Sequence, residues 1–213
     1  MAAGVMQQPL EHINDRGHIE IWFDFGSPYS YPSVMRIDAA AKPAGLAVAW
    51  RPFLLGPIFA SMGWATSPFV LYKAKGDYMW RDIARQCRKY GLPWRQPSTF
   101  PRRALLATRV ALLGVDAPWV GPFCQRVMQQ NFVEDREIDS PDTIAEVLDA
   151  LALPPARLLS LASAEDTKAR LRLRTDEAMA RGIFGAPSFF VGEDMFWGND
   201  RLEDALACGE RRD

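Results

Sequence analysis

Ile19-Glu20-Ile21-Trp22-Phe23-Asp24-Phe25-Gly26-Ser27-Pro28-Tyr29-Ser30 is the stretch from which the fold is read. Ile19, Ile21, Phe23 and Phe25 alternate with Glu20, Trp22 and Asp24, a period of two that predicts a strand with one face in a core. Gly26 ends the run. Ser27 then stands where a helix N-cap is expected, with Pro28 in the first helical position, where a missing N–H costs nothing. The Ser27 hydroxyl would lie among unpaired amides at a helix N-terminus, a place that favours an anion.

At the far end, Phe184-Gly185-Ala186-Pro187 leads through Ser188 into a second apolar run, Phe189-Phe190-Val191. A Gly192-Glu193-Asp194 turn, a short strand Met195-Phe196-Trp197 and the tetrapeptide Gly198-Asn199-Asp200-Arg201 follow. Ser27 to Ser30, Phe184 to Pro187 and Gly198 to Arg201 occur in that order with a long helical stretch between the first two. Any one alone is weak; together they are specific. Over roughly residues 18 to 208 the chain resembles the glutathione-dependent 2-hydroxychromene-2-carboxylate isomerases and kappa-class glutathione transferases, within the DsbA-type thioredoxin-like superfamily. Two hydroxyls stand where a thioredoxin-type oxidoreductase carries Cys-x-x-Cys.

Between the ends the period changes to that of helices. A second strand is predicted at Leu46 to Trp50, followed by an irregular apolar loop from Pro52 to Pro68. Helices are expected at Asp77 to Tyr90, closed by Gly91, and at Pro101 to Leu113, closed by Gly114. Pro118 to Phe132 reads as a third, its first turn near Gly121 because of Pro122. Ser140-Pro141 opens another through Leu151, a short one follows Pro154-Pro155, and Ala164 to Arg181 is the last long helix before Gly182. Glu203 follows Asp200 by three, a capping-box spacing for a final helix to about Cys208. The fold class expected is α/β: a thioredoxin-like fold with a large all-helical insertion. Its predicted parts are a flexible arm at 1–17, a thioredoxin-like domain at 18–66 and 183–208, and a helical insertion at 67–182 including the returning helix.

The 213 residues carry 25 basic and 26 acidic side chains, a net charge of −1, which leaves no electrostatic footprint for nucleic acid or a membrane surface. Nothing from Met1 to Gly17 reads as a signal peptide, and a cytoplasmic location is expected. Cys87, Cys124 and Cys208 form no Cys-x-x-Cys pair, against disulfide chemistry or a zinc knuckle; Cys87 and Cys124 read as small buried hydrophobes. Both histidines, His12 and His18, fall in the arm or at the very start of the first strand. A serine–histidine–acid triad or a histidine-ligated metal centre is therefore not expected. Ser27 would act as a hydrogen-bond donor to something already anionic.

The resemblance implies what that is. Ser27 would donate to the sulfur of bound glutathione, and such a thiol can ionise well below its usual pKa of about 8.5. Pro187 would be cis, with the Ala186 backbone pairing with the cysteinyl part of glutathione like an added strand. Trp197, Gly198, Asn199 and Asp200 would hold the γ-glutamyl end. The implied reaction is a cis-to-trans isomerisation of a small aromatic carboxylate, in which thiolate addition permits ring opening and bond rotation before the sulfur leaves. A homodimer is implied too. A kappa-like transferase or peroxidase and a non-enzymatic thioredoxin-fold binding module stay open beside this reading.

Each residue also has a plain structural reading: Ser27 as an N-cap, Pro187 as a pre-strand proline, Asn199 as a turn residue, Asp200 as a helix cap. Trp64, Trp80, Trp94 and Trp119 read as core or cleft wall, and Arg102-Arg103 as a solvated pair. Ala65 stands where many relatives carry Asn or Asp that reaches glutathione. Leu54-Leu55-Gly56-Pro57 stands where naphthalene-pathway isomerases place a lysine for the substrate.

Overall fold

The computed structural model describes residues 17 to 210. The arm expected over residues 1–17, His12 with it, falls outside the described residues except for Gly17. Strand β1 (His18–Phe23) is the hub of a four-stranded sheet. It pairs in parallel with β2 (Ala47–Pro52), Ile21 opposite Trp50, and antiparallel with β3 (Ser188–Val191), Trp22 opposite Ser188. β3 turns at Gly192, φ 63°, into β4 (Asp194–Trp197), giving the order β2-β1-β3-β4. A parallel pair needs a crossover, and α1 (Ser30–Ala41) supplies it. This is the thioredoxin-like arrangement.

The remaining helices are α2 (Leu55–Ser61), α3 (Pro68–Leu71), α4 (Lys73–Lys89), α5 (Leu105–Leu113), α6 (Val120–Phe132), α7 (Pro141–Ala150), α8 (Pro155–Ser163), α9 (Glu165–Ala180) and α10 (Leu202–Glu210). A 3-10 turn, Asn199–Arg201, leads into α10. Tyr31, Val34, Ile37 and Ala41, spaced three or four apart, bury one face of α1. They join Ile19, Ile21 and Phe23 of β1, and one continuous core runs on through Phe123 and Phe132 of α6 to Ile144 of α7. Among the described residues no helix is long and apolar enough to cross a membrane.

The alternation in β1 predicts one buried face, but both are covered. Trp22 is fully buried on the second face with Phe53, Ile58 of α2 and Ala178 of α9. Glu20 shares that face and stays charged. Burial would raise its pKa, but the Trp22 indole N–H at 2.8 Å, Arg51 at 3.1 Å and Arg181 outweigh it and hold the carboxyl below its usual value.

Helix starts differ from the expected ones for identifiable reasons. The stretch from Pro52 to Pro68 contains α2, with Pro57 in its first turn, where no N–H is required. α4 begins at Lys73, four residues before Asp77; Gly76 lies inside it because any Cβ there would collide with the Phe69 carbonyl. α5 begins at Leu105 and not Pro101, since the chain before it carries Arg102 into the interior. Glu203 forms no capping box; it accepts from Arg36 Nη1 of α1 at 2.7 Å.

Arg102 and Arg103 are not a solvated pair. Arg103 is exposed beside Asp139 at 3.0 Å, whereas Arg102 is buried and donates to Asn131 at 3.1 Å and Asp135 at 2.8 Å. Asn131 in turn donates to the Phe25 carbonyl at 2.9 Å, so the helical part grips the loop after β1 through a chain of polar contacts. The Ser98 N–H and then the Arg102 guanidinium hold Asp135 down to about 2 from 3.8. Its ionised form therefore stabilises the fold above the usual carboxylate range, and that contribution is lost as pH falls from about 4 through about 2. Asp135→Asn is expected to lower the urea midpoint at about pH 6, with the two proteins converging towards about pH 2. A constant offset across that range would show that ionisation of Asp135 is not what stabilises.

Candidate functional site

With Trp22 opposite Ser188, the antiparallel register brings the residues that precede β3 beside the loop that follows β1. Ser27 Oγ donates to the Ala186 carbonyl at 2.8 Å, joining positions 159 apart in the chain. The backbone makes two tight turns before α1: Ser27 N donates to Asp24 O at 3.0 Å and Ser30 N to Ser27 O at 3.1 Å. Ser27 is thus not the N-cap of α1, which starts at Ser30 with Tyr29 at the cap position. Its hydroxyl points to Ala186, with only a long 3.4 Å approach from Ser30 N. The two motif hydroxyls are not equivalent, because Ser30 is fully buried, its Oγ has no partner among the described residues, and it is not part of the cleft lining.

The Ala186–Pro187 bond is cis, and the Pro187 carbonyl accepts from Gly198 N at 2.9 Å. This ties the segment before β3 to the one after β4. Gly198 has φ 109°, a conformation that L side chains rarely adopt, and this is what favours glycine there. Trp197 is half exposed, its ring edge-on to Phe184 at 4.7 Å and lying over Gly185, where a Cβ would collide with the indole nitrogen. Asn199 is buried: its Oδ1 accepts from Ser33 Oγ at 2.9 Å and Arg36 Nη2 at 3.1 Å, while Nδ2 has no partner among the described residues. Asn199 therefore braces α1 and is more than a turn residue. Asp200 is exposed next to Arg201.

Ser27, Ala186, Trp197, Gly198, Asn199 and Asp200 all border one cleft of about 1110 Å³, and Pro187 stands behind that wall. The lining is also aromatic, with Phe59 packed on Trp64 at 5.8 Å and Tyr29 on Phe69 at 6.0 Å, and Ala65 borders the same cleft. Trp80, Trp94 and Trp119 pack against the core instead. Tyr29 donates to Asp82 at 3.1 Å, and burial, then the Asp82 charge, push its phenol pKa upwards. Lys75 borders the cleft with its ammonium 5.7 Å from the Tyr72 ring centroid and in no ion pair among the described residues. Among the described residues the lining contains neither cysteine nor histidine. Cys87 and Cys124 are buried, and burial pushes the Cys87 thiol up to about 12 and the Cys124 thiol well above its usual value.

Sequence reasoning passed over Asp24. Its carboxylate borders the cleft and holds two amides, Gly26 N on Oδ1 at 2.7 Å and Leu55 N on Oδ2 at 2.7 Å. The signal was a carboxylate in the alternating run from Ile19 to Phe25, three residues before Ser27.

A family model described as a DSBA-like thioredoxin domain matches residues 18–207. The chain belongs to this family. It is 30% identical to the 2-hydroxychromene-2-carboxylate isomerase of Sphingobium xenophagum over 87% of this chain and 94% of that one. It is 23% identical to glutathione S-transferase kappa 2 of Caenorhabditis elegans, over 88% and 89% of the two chains. A solved 2-hydroxychromene-2-carboxylate isomerase superposes with a TM-score of 0.82 at 24% identity, covering 91% of this chain and 94% of that one.

The contact of Trp197 with Gly185 is open to test. Gly185→Ala is expected to displace the indole and separate it from Phe184, shifting tryptophan emission and its accessibility to a soluble quencher. Unchanged quenching would mean that Trp197 is not held by this contact.

Proposed function

We propose that the protein is a glutathione-dependent cis–trans isomerase of the 2-hydroxychromene-2-carboxylate isomerase type, acting on a small aromatic carboxylate in aromatic-compound catabolism, as a cytoplasmic homodimer. The observation that carries the reading is the Ser27 hydroxyl set against the Ala186 backbone in a cleft to which the described residues bring no thiol or imidazole. Such a cleft has a donor for an anionic sulfur but no sulfur. Bound glutathione would supply that nucleophile.

The residues present suit the tripeptide. The Ala186 N–H makes no hydrogen bond among the described residues and so can donate to a peptide carbonyl. The Ser27 hydroxyl has one proton to give. Donating it to sulfur releases the Ala186 carbonyl, which can then accept an N–H from the bound peptide, so the cost of breaking the 2.8 Å bond is offset on both sides. Gly198, Asn199 and Asp200 would receive the γ-glutamyl end, Asp200 meeting its amine. The aromatic wall of Phe59, Trp64 and Phe69 would stack the second substrate, with Lys75 available to its carboxylate.

A transferase or peroxidase of the kappa kind is the competing reading. It is favoured by the apolar Leu54 and Leu55 at the cleft wall, which suit an uncharged acceptor. A conjugate or oxidised glutathione would accumulate in those cases, whereas the isomerase returns glutathione unchanged.

Titrating glutathione is expected to change tryptophan emission saturably through Trp197, with oxidised glutathione doing much less. No binding at millimolar glutathione by fluorescence and calorimetry would leave only the non-enzymatic module. Ser27→Ala is expected to abolish most turnover while costing only about 0.5 to 1.5 kcal/mol of stability from the lost bond to Ala186. Ser30→Ala, which removes a buried hydroxyl without a partner, should leave turnover and stability near wild type. Equal losses at the two serines would refute the role given to Ser27.

A further inference from the structure

We propose that Asp24 is the proton acceptor of the cleft, taking the proton of a thiol that binds opposite Ser27 and returning it when the sulfur departs. The proposal rests on the glutathione reading above. Ser27 as a hydrogen-bond donor can stabilise an anionic sulfur but cannot receive its proton, and among the described residues no histidine lines the cleft. Asp24 and Ser27 are the two ends of one tight turn, closed by Ser27 N on Asp24 O at 3.0 Å, and both border the same space.

The surroundings of Asp24 are unusual for a carboxylate with only a structural task. Each oxygen takes one backbone amide, from Gly26 and from Leu55, and each keeps a lone pair. Among the described residues no lysine or arginine is in ion-pair contact with it, although a buried carboxylate ordinarily has a cationic partner. The charged groups that share the cleft, Lys75 apart, are engaged elsewhere. In the segment before α5, Arg102 is bound to Asp135 and Arg103 to Asp139. On α4, Asp82 holds Tyr29 and Arg85, and Lys75 stands by Tyr72. Past β4, Arg201 lies between Asp200 and Asp204. Behind the Leu54 turn, α9 offers the neutral Thr175, whose hydroxyl lies 3.4 Å from Leu54 N.

Burial raises the carboxyl pKa, the Leu55 and Gly26 amides oppose it, and the net direction is upwards, towards that of a thiol. The transfer balances: the S–H bond breaks, its electron pair stays on sulfur, and an O–H bond forms on Asp24. One negative charge is present before and after. No second anion has to be desolvated, and nothing is oxidised.

The test counts protons. Calorimetry of glutathione binding in buffers of different ionisation heat gives the protons released, and the ultraviolet absorbance of the thiolate gives the sulfur ionised. For the wild-type protein at about pH 7 the expected result is thiolate with little proton release, because Asp24 keeps the proton. Asp24→Asn, which retains one acceptor oxygen, should give either about one proton released per thiolate or no thiolate. A second variant leaves the carboxylate in place. Leu55 is the first residue of α2 and follows the extended Leu54, φ −117° and ψ 124°, so proline fits there and removes the amide on Oδ2; Leu55→Ala, which loses the same packed side chain but keeps the amide, is its control. Leu55→Pro should move the pH at which Asp24 takes up the proton higher, by on the order of one unit. About one proton released per thiolate by both wild type and Asp24→Asn, or a Leu55→Pro profile that does not move, would overturn the proposal while leaving glutathione binding intact. Failure of the wild-type protein to bind glutathione at all would overturn it together with the function it rests on.

Discussion

The antiparallel pairing of β1 with β3 is the constraint on which the rest of the molecule depends. It joins the first and last parts of the chain, and its register sets the Ser27 hydroxyl 2.8 Å from the Ala186 carbonyl. Everything between must leave the sheet and return without disturbing that contact. The helices do so by contributing to the same core, from Phe23 and Tyr31 through Phe132, with Trp94 stacked on Phe132 at 5.7 Å. Because the core is continuous, the wall of the cleft carried on α4 is held against the wall carried on the sheet.

Polar contacts carry the same coupling where packing cannot. The chain from Asp135 through Arg102 and Asn131 to the Phe25 carbonyl anchors the loop that presents Ser27. Asp24 anchors it from the other side, through Gly26 and Leu55. The turn is thus held by two independent sets of hydrogen bonds, each involving a carboxylate. Rigid presentation matters when the working group is a single hydroxyl, since a misaimed donor loses most of its strength. Replacing two thiols by hydroxyls removes redox chemistry from this fold but keeps the geometry that offers a donor at the head of a helix.

Much of this organisation is legible in the residues themselves. The alternation in β1, the Gly-closed helices and the short hairpin after Pro187 identify the strands and most helices, because hydrophobic period and turn chemistry act locally. Where the reading failed, the cause was a contact with something distant. The helix expected from Asp77 starts at Lys73, with Gly76 inside it to pass the Phe69 carbonyl; Arg102 looked solvated and is buried on Asp135; Glu203 looked like half of a capping box and is taken by Arg36. Trp22 read as the polar side of a strand because the helices that cover it lie elsewhere in the chain.

The sequence by itself determined the strand and helix periods, the lack of a dithiol pair, and a set of motif residues whose order points to one family. Those are properties of residue type and local spacing, and they survive without coordinates. Only the tertiary structure decided which hydroxyl of the motif faces the cleft, that Asn199 spends its carbonyl bracing α1, and that Asp24 lies in the turn that ends at Ser27 with both oxygens on backbone amides. Burial and pairing of polar groups depend on which side chains meet across the fold, and strand register, not chain distance, sets those meetings.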